Sequence, residues 1–251
     1  MVIIQAILYV AHGSRLKEGV EEARAFMQEQ MKRIDVPIQI MSFIELQRPF
    51  VHEGIVQCII RGATHIAVVP ILLLEAGHAK HDLPHVIERA QEKYPHVTFT
   101  YGRPFGVHES IINTLVKRME EQQKITRDAR VLIVGRGSTD PSILADFQQI
   151  ISLLQEKIDV SSIHVCYLAG QQPTFIDGLH REINSEAKTV FIVPYLLFTG
   201  LLMLHIEKKA QELQRPNQQL IVCNPIGSNE DISKLFLERV NQILNTKEAL
   251  L

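Results

Sequence analysis

The sequence predicts an α/β fold made of two similar halves, each a parallel sheet flanked by helices. Three observations carry that prediction. Short apolar runs alternate with longer stretches whose apolar residues recur at helical spacing. The whole pattern restarts near residue 130 in a constant register. The run 66–74 is almost wholly apolar, as in a central strand covered on both faces, and Gly77, His78, Lys80, His81 and Asp82 follow it at once. Titratable residues directly after a buried parallel strand fall where open α/β sheets bind ligands, beyond the carboxyl ends of the strands.

Taken in order, residues 6–11 read as the first strand, with His12, Gly13, Ser14 and Arg15 as its exit loop. Val20, Ala23, Phe26, Met27, Met31 and Ile34 follow the 3.6-residue period and predict a helix over 18–34. Residues 38–44 predict a second strand, and 51–61 a second helix that Gly62 would cap. The third strand is 66–74. Asp82 is expected to cap a helix with Pro84 in its first turn, running to about Tyr94. A fourth strand over 97–101 and a helix over 109–122 complete the first half. The polar stretch 124–130 reads as a linker. Strands alternating with helices imply parallel sheets with right-handed crossovers.

Past the linker, Val10, Gly13 and Ser14 find Val134, Gly137 and Ser138 at an offset of 124 positions. The same offset carries Ile34 to Ile158, Gln47 and Pro49 to Gln171 and Pro173, Val69 and Pro70 to Val193 and Pro194, and His81 to His205. Pro104 and Gly106 find Pro225 and Gly227 at an offset of 121. Domains are therefore expected at 1–123 and 130–251, facing each other across a cleft.

Composition narrows the functional classes. A chain of 251 residues, 46% hydrophobic and 22% charged, has the balance of an ordinary globular protein. Its formal net charge of -2 gives no basic field for nucleic acid. The apolar start, residues 1–10, lacks a basic leader and is too short to span a bilayer, so it reads as the first strand of a cytoplasmic protein. Cys58, Cys166 and Cys223 are widely spaced and odd in number, which argues against disulfides, structural zinc and iron–sulfur centres.

His12, Glu45 and His78 each follow one of the first three strands, and a parallel sheet brings all three strand ends to one edge. Two imidazoles and a carboxylate suit Fe²⁺, Co²⁺, Ni²⁺ or Zn²⁺. Singly, each has a plainer explanation: a loop histidine bonded to backbone, or a glutamate favoured by a helix dipole. The repeat separates these readings. His12, Glu45 and His78 align with Arg136, Ala169 and Leu202, so the three polar residues are lost together while the residues around them persist. Residues needed to fold a half should persist in both; residues of one site need not. By that logic His81, retained as His205, is expected to be structural. His52, His65, His96, His108, His164 and His180 form no constellation in the sequence. Ser14 has neither the GxSxG context of a nucleophile nor a phosphate-loop pattern. Leu201, Leu202, Leu204 and Ile206 are expected chiefly as core, with a wall for a flat apolar ligand as the alternative.

The runs ILYVAHGSR (7–15), FIELQRP (43–49), GATHIAVVPILLLEAGHAKHDLP (62–84), VLIVGRGSTDP (131–141) and FIVPYLLFTGLLM (191–203) resemble the class II tetrapyrrole chelatases, in the sirohydrochlorin-metallating branch of bacilli. The resemblance covers nearly the whole chain. It implies two Rossmann-like, chelatase-like halves, with His12 and His78 carrying chelation and Glu45 as a further metal contact. It implies insertion of Fe²⁺ into sirohydrochlorin to give siroheme, the metal being a substrate and no cofactor being permanently bound. Co²⁺ or Ni²⁺ are alternative metals. Short members of the family pair as dimers, so this fused form is expected to act as a monomer, without nucleic-acid or membrane partners. Arg15, Lys80, Arg103 and Arg136 lie in strand-end loops and are candidates to bind the macrocycle's carboxylates. The alternatives are a sirohydrochlorin cobaltochelatase of cobalamin biosynthesis and a metal or tetrapyrrole carrier without chemistry. A non-haem iron oxygenase shares the ligand set, but the duplicated parallel pattern counts against it.

Overall fold

The computed structural model describes residues 3–245, apart from the side chain of His78. Two parallel four-stranded sheets are present, each the core of a separate compact unit.

The first unit comprises residues 1–106 with 233–251. Its elements are β1 (Gln5–Ala11), α1 (Lys17–Met31), β2 (Ile38–Phe43), α2 (Val51–Ile60), β3 (His65–Ile71), a π turn (His78–Asp82), α3 (Leu83–Lys93) and β4 (Thr98–Tyr101). The strand order β2-β1-β3-β4 puts a topological switch point between β1 and β3. Every residue from Ala6 to Val10 is fully buried, because both faces of the sheet are covered. Ala6, Leu8 and Val10 pack with Ile55, Ile66, Leu83 and Ile87 on one face. On the other, Tyr9 and Phe26 meet Phe236 at ring centroid distances of 5.7 and 5.4 Å.

The second unit, residues 107–232, holds α4 (Glu109–Glu120), β5 (Arg130–Gly135), α5 (Ser142–Lys157), β6 (Ser162–Tyr167), α6 (Phe175–Ile183), β7 (Thr189–Tyr195), α7 (Leu201–Leu213) and β8 (Gln219–Val222). Its order, β6-β5-β7-β8, repeats the first sheet. Pairing registers agree as well: Val10 lies opposite Ser42 and Pro70, and Val134 opposite Cys166 and Pro194.

Compact units and sequence repeats part at the last helix of each half. Helix α8 (Glu230–Asn245) brings Phe236 into the first unit, where Arg239 also donates to the carbonyls of Pro104 and Phe105 at 3.2 and 2.7 Å. Helix α4 belongs to the second unit, with Arg118 donating to the Ile226 carbonyl at 2.8 Å. Divisions at 1–123 and 130–251 follow the repeat; the contacts exchange these two helices. An amphipathic pattern fixes a helix's apolar face but not which sheet that face will cover.

Three local expectations are corrected. Strand β3 stops at Ile71 rather than residue 74, because the carbonyls of Leu72 and Leu73 accept instead from Phe105 and Gly106. Asp82 caps nothing: it is helical, at φ −70° and ψ −47°, because the turn has already begun upstream. Arg130 opens β5 instead of ending a linker.

Candidate functional site

The exit loops of β1 and β2 are tied together by backbone. Ile44 donates to the Ala11 carbonyl at 2.9 Å and Glu45 to the His12 carbonyl at 3.1 Å, continuing the ladder two rungs past the strands. Gly13 makes this approach possible. Its φ is +102°, and a Cβ there would lie 2.1 Å from the Glu45 carbonyl oxygen, so only glycine fits. The consequence is proximity: His12 Nδ1 stands 3.5 Å from Glu45 Oε1, with the side chains 24% and 47% exposed. The pair is an imidazole and a carboxylate held side by side and partly exposed, donor types that suit a borderline divalent ion.

Leu46, next in the chain, has φ 67°, the only positive φ outside glycine among the described residues. It is 44% exposed, so core packing does not account for the strained backbone. Ser14 is a turn residue: its Oγ accepts from Leu16 N–H at 3.1 Å, and its carbonyl accepts from Gln47 Nε2 at 2.8 Å.

The third element is the π turn after β3. A π turn inserts one residue into a helical turn and recurs at functional sites. His78 is its first residue, in the segment that follows β3; its side chain lies outside the described residues. Among the described residues, no group of three or more His, Cys, Asp or Glu side chains assembles as a metal cluster.

The second unit repeats the backbone and omits the ligands. Leu168 donates to Gly135 at 2.9 Å and Ala169 to Arg136 at 3.0 Å, and Gln171 Nε2 donates to Ser138 at 3.0 Å. A Cβ on Gly137 would lie 1.7 Å from the Ala169 carbonyl. Gly170, at φ 71°, stands where Leu46 stands. Positions 202–206, aligned with the π turn, lie inside the regular helix α7.

The proposed carboxylate binders follow the strands of their own sheets. Arg15, Arg103 and Arg136 are exposed, and Lys80 is half-buried within the π turn. Leu201, Leu202 and Leu204 are 49%, 37% and 46% exposed, which overturns the core reading for these three. Ile206, with Met203 and Ala210, is the buried side of the helix. His81 is exposed, as is His205, so retention in both halves does not reflect burial.

The sequence reading missed one cluster. Glu182, fully buried, accepts from Arg130 Nε at 2.6 Å and pairs with His164 Nδ1 at 2.8 Å. Its signal lay in the same offset: Arg130, His164 and Glu182 align with the buried Ala6, Ile40 and Cys58 of the first half. Arg130 begins β5, so the cluster sits away from the carboxyl ends of the strands and serves the fold of the second unit.

The fold is thus a duplicated parallel α/β protein that keeps a His–Glu pair between the exit loops of β1 and β2 and carries Arg136 and Ala169 at the equivalent positions of its second half. The CbiX family model matches residues 6–122 and again 130–243, and the chain belongs to that family. It is 43% identical over 245 residues to a sirohydrochlorin ferrochelatase of Priestia megaterium, covering 97% of this chain and 92% of that one. A sirohydrochlorin cobaltochelatase of the same organism is 35% identical, covering 95% and 80%. The solved structure of SirB from Bacillus subtilis with Fe³⁺ superposes with a TM-score of 0.86 at 42% identity, covering 97% of this chain and 96% of that one.

Proposed function

We propose that this chain is a sirohydrochlorin ferrochelatase, an enzyme that inserts Fe²⁺ into sirohydrochlorin to form siroheme. The macrocycle gives up two pyrrole protons and takes the ion in their place. The observation that carries this reading is the His12–Glu45 pair, built on a backbone that the second half repeats with Arg136 and Ala169.

In this reading His12, Glu45 and His78 hold the incoming ion. Three protein ligands leave room for the macrocycle nitrogens to displace them. Neutral imidazoles at His12 and His78 then accept the released protons, which suits a group that titrates near neutrality. Arg15, Lys80, Arg103 and Arg136 bind the macrocycle's carboxylates, with the guanidinium groups able to do so bidentately. The second half serves the macrocycle rather than the metal: Arg136 replaces a ligand with a fixed cation, Ala169 and Leu202 carry no donor, and the exposed Leu201, Leu202 and Leu204 offer an apolar surface to the ring. The chain acts as a monomer, since it already contains both halves.

The cobaltochelatase relative keeps Co²⁺ as a second reading of the metal. One anaerobic assay tests function and metal together: sirohydrochlorin is mixed with catalytic amounts of protein and with Fe²⁺, Co²⁺ or both, and its absorption spectrum is followed. Metallation beyond one equivalent, faster with Fe²⁺, is the expected result. Binding that stops at one equivalent would make the protein a carrier, and preference for Co²⁺ in competition would make it a cobaltochelatase.

A further inference from the structure

The π turn that carries His78 is tied to the sheet through Tyr101. Tyr101 Oη donates a hydrogen bond of 2.9 Å to the carbonyl of Ala79, the residue after His78. A π turn pairs each carbonyl with the N–H five residues on, and for Ala79 that residue is Pro84, which has no N–H to give. Ala79 is 2% exposed, so water does not supply that partner. Tyr101 can, because it is the last residue of β4 and is paired opposite Val68 of β3. The donor is therefore mounted on the sheet, and the turn hangs from it.

The duplicated fold contains its own control. In the second sheet, Val222 ends β8 opposite Ile192, the register position that Tyr101 holds opposite Val68. Valine has no donor, and the helix there is regular. Tyrosine hydroxyl, π turn, His78, Glu45 and His12 are thus present together in one half and absent together from the other.

We infer that Tyr101 is a positioning residue for the metal site, its hydroxyl holding the turn that presents His78. Burial, and then the charge of Glu75, push its hydroxyl well above the ordinary tyrosine range, so it remains a neutral donor wherever the enzyme works. The alternative is that Tyr101 merely packs: its ring lies against the core that contains Ile66, Val68 and Leu83. The hydroxyl distinguishes the two, since the ring packs without it.

The inference rests on His78 being a ligand, so His78→Ala is measured beside Tyr101→Phe. The full-length protein is titrated with Co²⁺ alone, and separately with sirohydrochlorin alone. Tyr101→Phe keeps its melting temperature and its sirohydrochlorin affinity, but binds Co²⁺ about tenfold more weakly, the lower end of outer-shell effects on metal sites, with a changed visible spectrum of the bound ion. Tyr101→4-aminophenylalanine returns a donor to the same place and recovers most of the affinity. Wild-type Co²⁺ affinity and spectrum in Tyr101→Phe would overturn the inference, and so would a loss that the amino ring fails to restore. Joint loss of metal binding, macrocycle binding and thermal stability would make Tyr101 a packing residue. Wild-type Co²⁺ affinity in His78→Ala would instead remove the ligand reading beneath it.

Discussion

Gly13→Ala separates the ligand geometry of the site from the stability of the fold that carries it. The new Cβ would start 2.1 Å from the Glu45 carbonyl oxygen, so the loops must part by about 1 Å to reach even a tight contact. At φ +102° the alanine backbone itself costs about 1–2 kcal/mol. Parting the loops also breaks the Glu45-to-His12 rung, now 3.1 Å, at a further cost of about 1 kcal/mol. The fold therefore loses roughly 2–3 kcal/mol. The site loses more, because the His12–Glu45 separation of 3.5 Å opens by a similar distance, and a misplacement of about 1 Å costs on the order of a hundredfold in rate. Gly137→Ala is the matched control: its Cβ would lie 1.7 Å from the Ala169 carbonyl, so the fold suffers alike, but no ligand moves. Thermal melts, Co²⁺ titration and Fe²⁺ insertion are measured on both. Comparable destabilisation with metal binding lost only in Gly13→Ala is expected. Equal loss of metal binding in both, or wild-type affinity in Gly13→Ala, would refute the claim that this glycine sets the ligand spacing.

Three further outcomes follow from the same geometry. His12→Ala and His78→Ala should each abolish most iron insertion with the melt changed by less than about 0.5 kcal/mol, and wild-type insertion should fall in mild acid because only the neutral imidazole binds metal; turnover intact in both variants removes them from the site. Leu202→Asn, at an exposed position, should leave the melt alone and raise KM for sirohydrochlorin, whereas Arg136→Ala should weaken macrocycle binding with Co²⁺ affinity unchanged; an unaltered KM in both would place the macrocycle elsewhere. Burial pushes the thiols of Cys58, Cys166 and Cys223 up from 9.0 to about 12, so the folded protein should resist iodoacetamide at mildly alkaline pH, as mass spectrometry would show by the absence of carbamidomethyl adducts. The sign for stability is set by the same shift: the contribution is complete below the unfolded thiol value and is lost as pH rises from there toward the folded one, because only the unfolded chain ionises.

Much of the fold was legible because a strand buried on both faces can hold little except apolar residues, as in 6–10, and because the two halves keep one register. Features requiring knowledge of a neighbour were not legible. The apolar stripes of α4 and α8 say that each covers a sheet, and nothing in them says which. The Arg130–Glu182–His164 cluster spans two strands and a helix, so only the offset to Ala6, Cys58 and Ile40 betrayed it. Asp82 followed the pattern of a cap, but the π turn upstream had already supplied helical geometry. The exposure of the leucines was legible in the spacing: Met203, Ile206 and Ala210 share one face of α7, which leaves Leu201, Leu202 and Leu204 outside it. Tyr101 gave no signal, since a tyrosine at the end of a strand is ordinary until its hydroxyl is seen to reach Ala79.

The exposure of His12 and Glu45 and the inequality of the halves fit one requirement of the proposed function. A metal held for structure is enclosed by ligands whose own positions are locked, because release would unfold the site. A metal that is a substrate has to leave within each turnover. Glu45, 47% exposed, and His12, 24% exposed, are only partly enclosed, and the π turn after β3 and the strained Leu46 lie where regular backbone would otherwise continue. Under the proposed function, a second such site in the other half would compete for the ion. Arg136 would oppose such a site, since a fixed cation repels a divalent ion. The conserved half of the duplication is thus its backbone, which supplies the same loop approach twice. Side chains then distinguish the halves, with His12 and Glu45 in one and Arg136 and Ala169 in the other, which under the proposed function would give the metal one address on the chain.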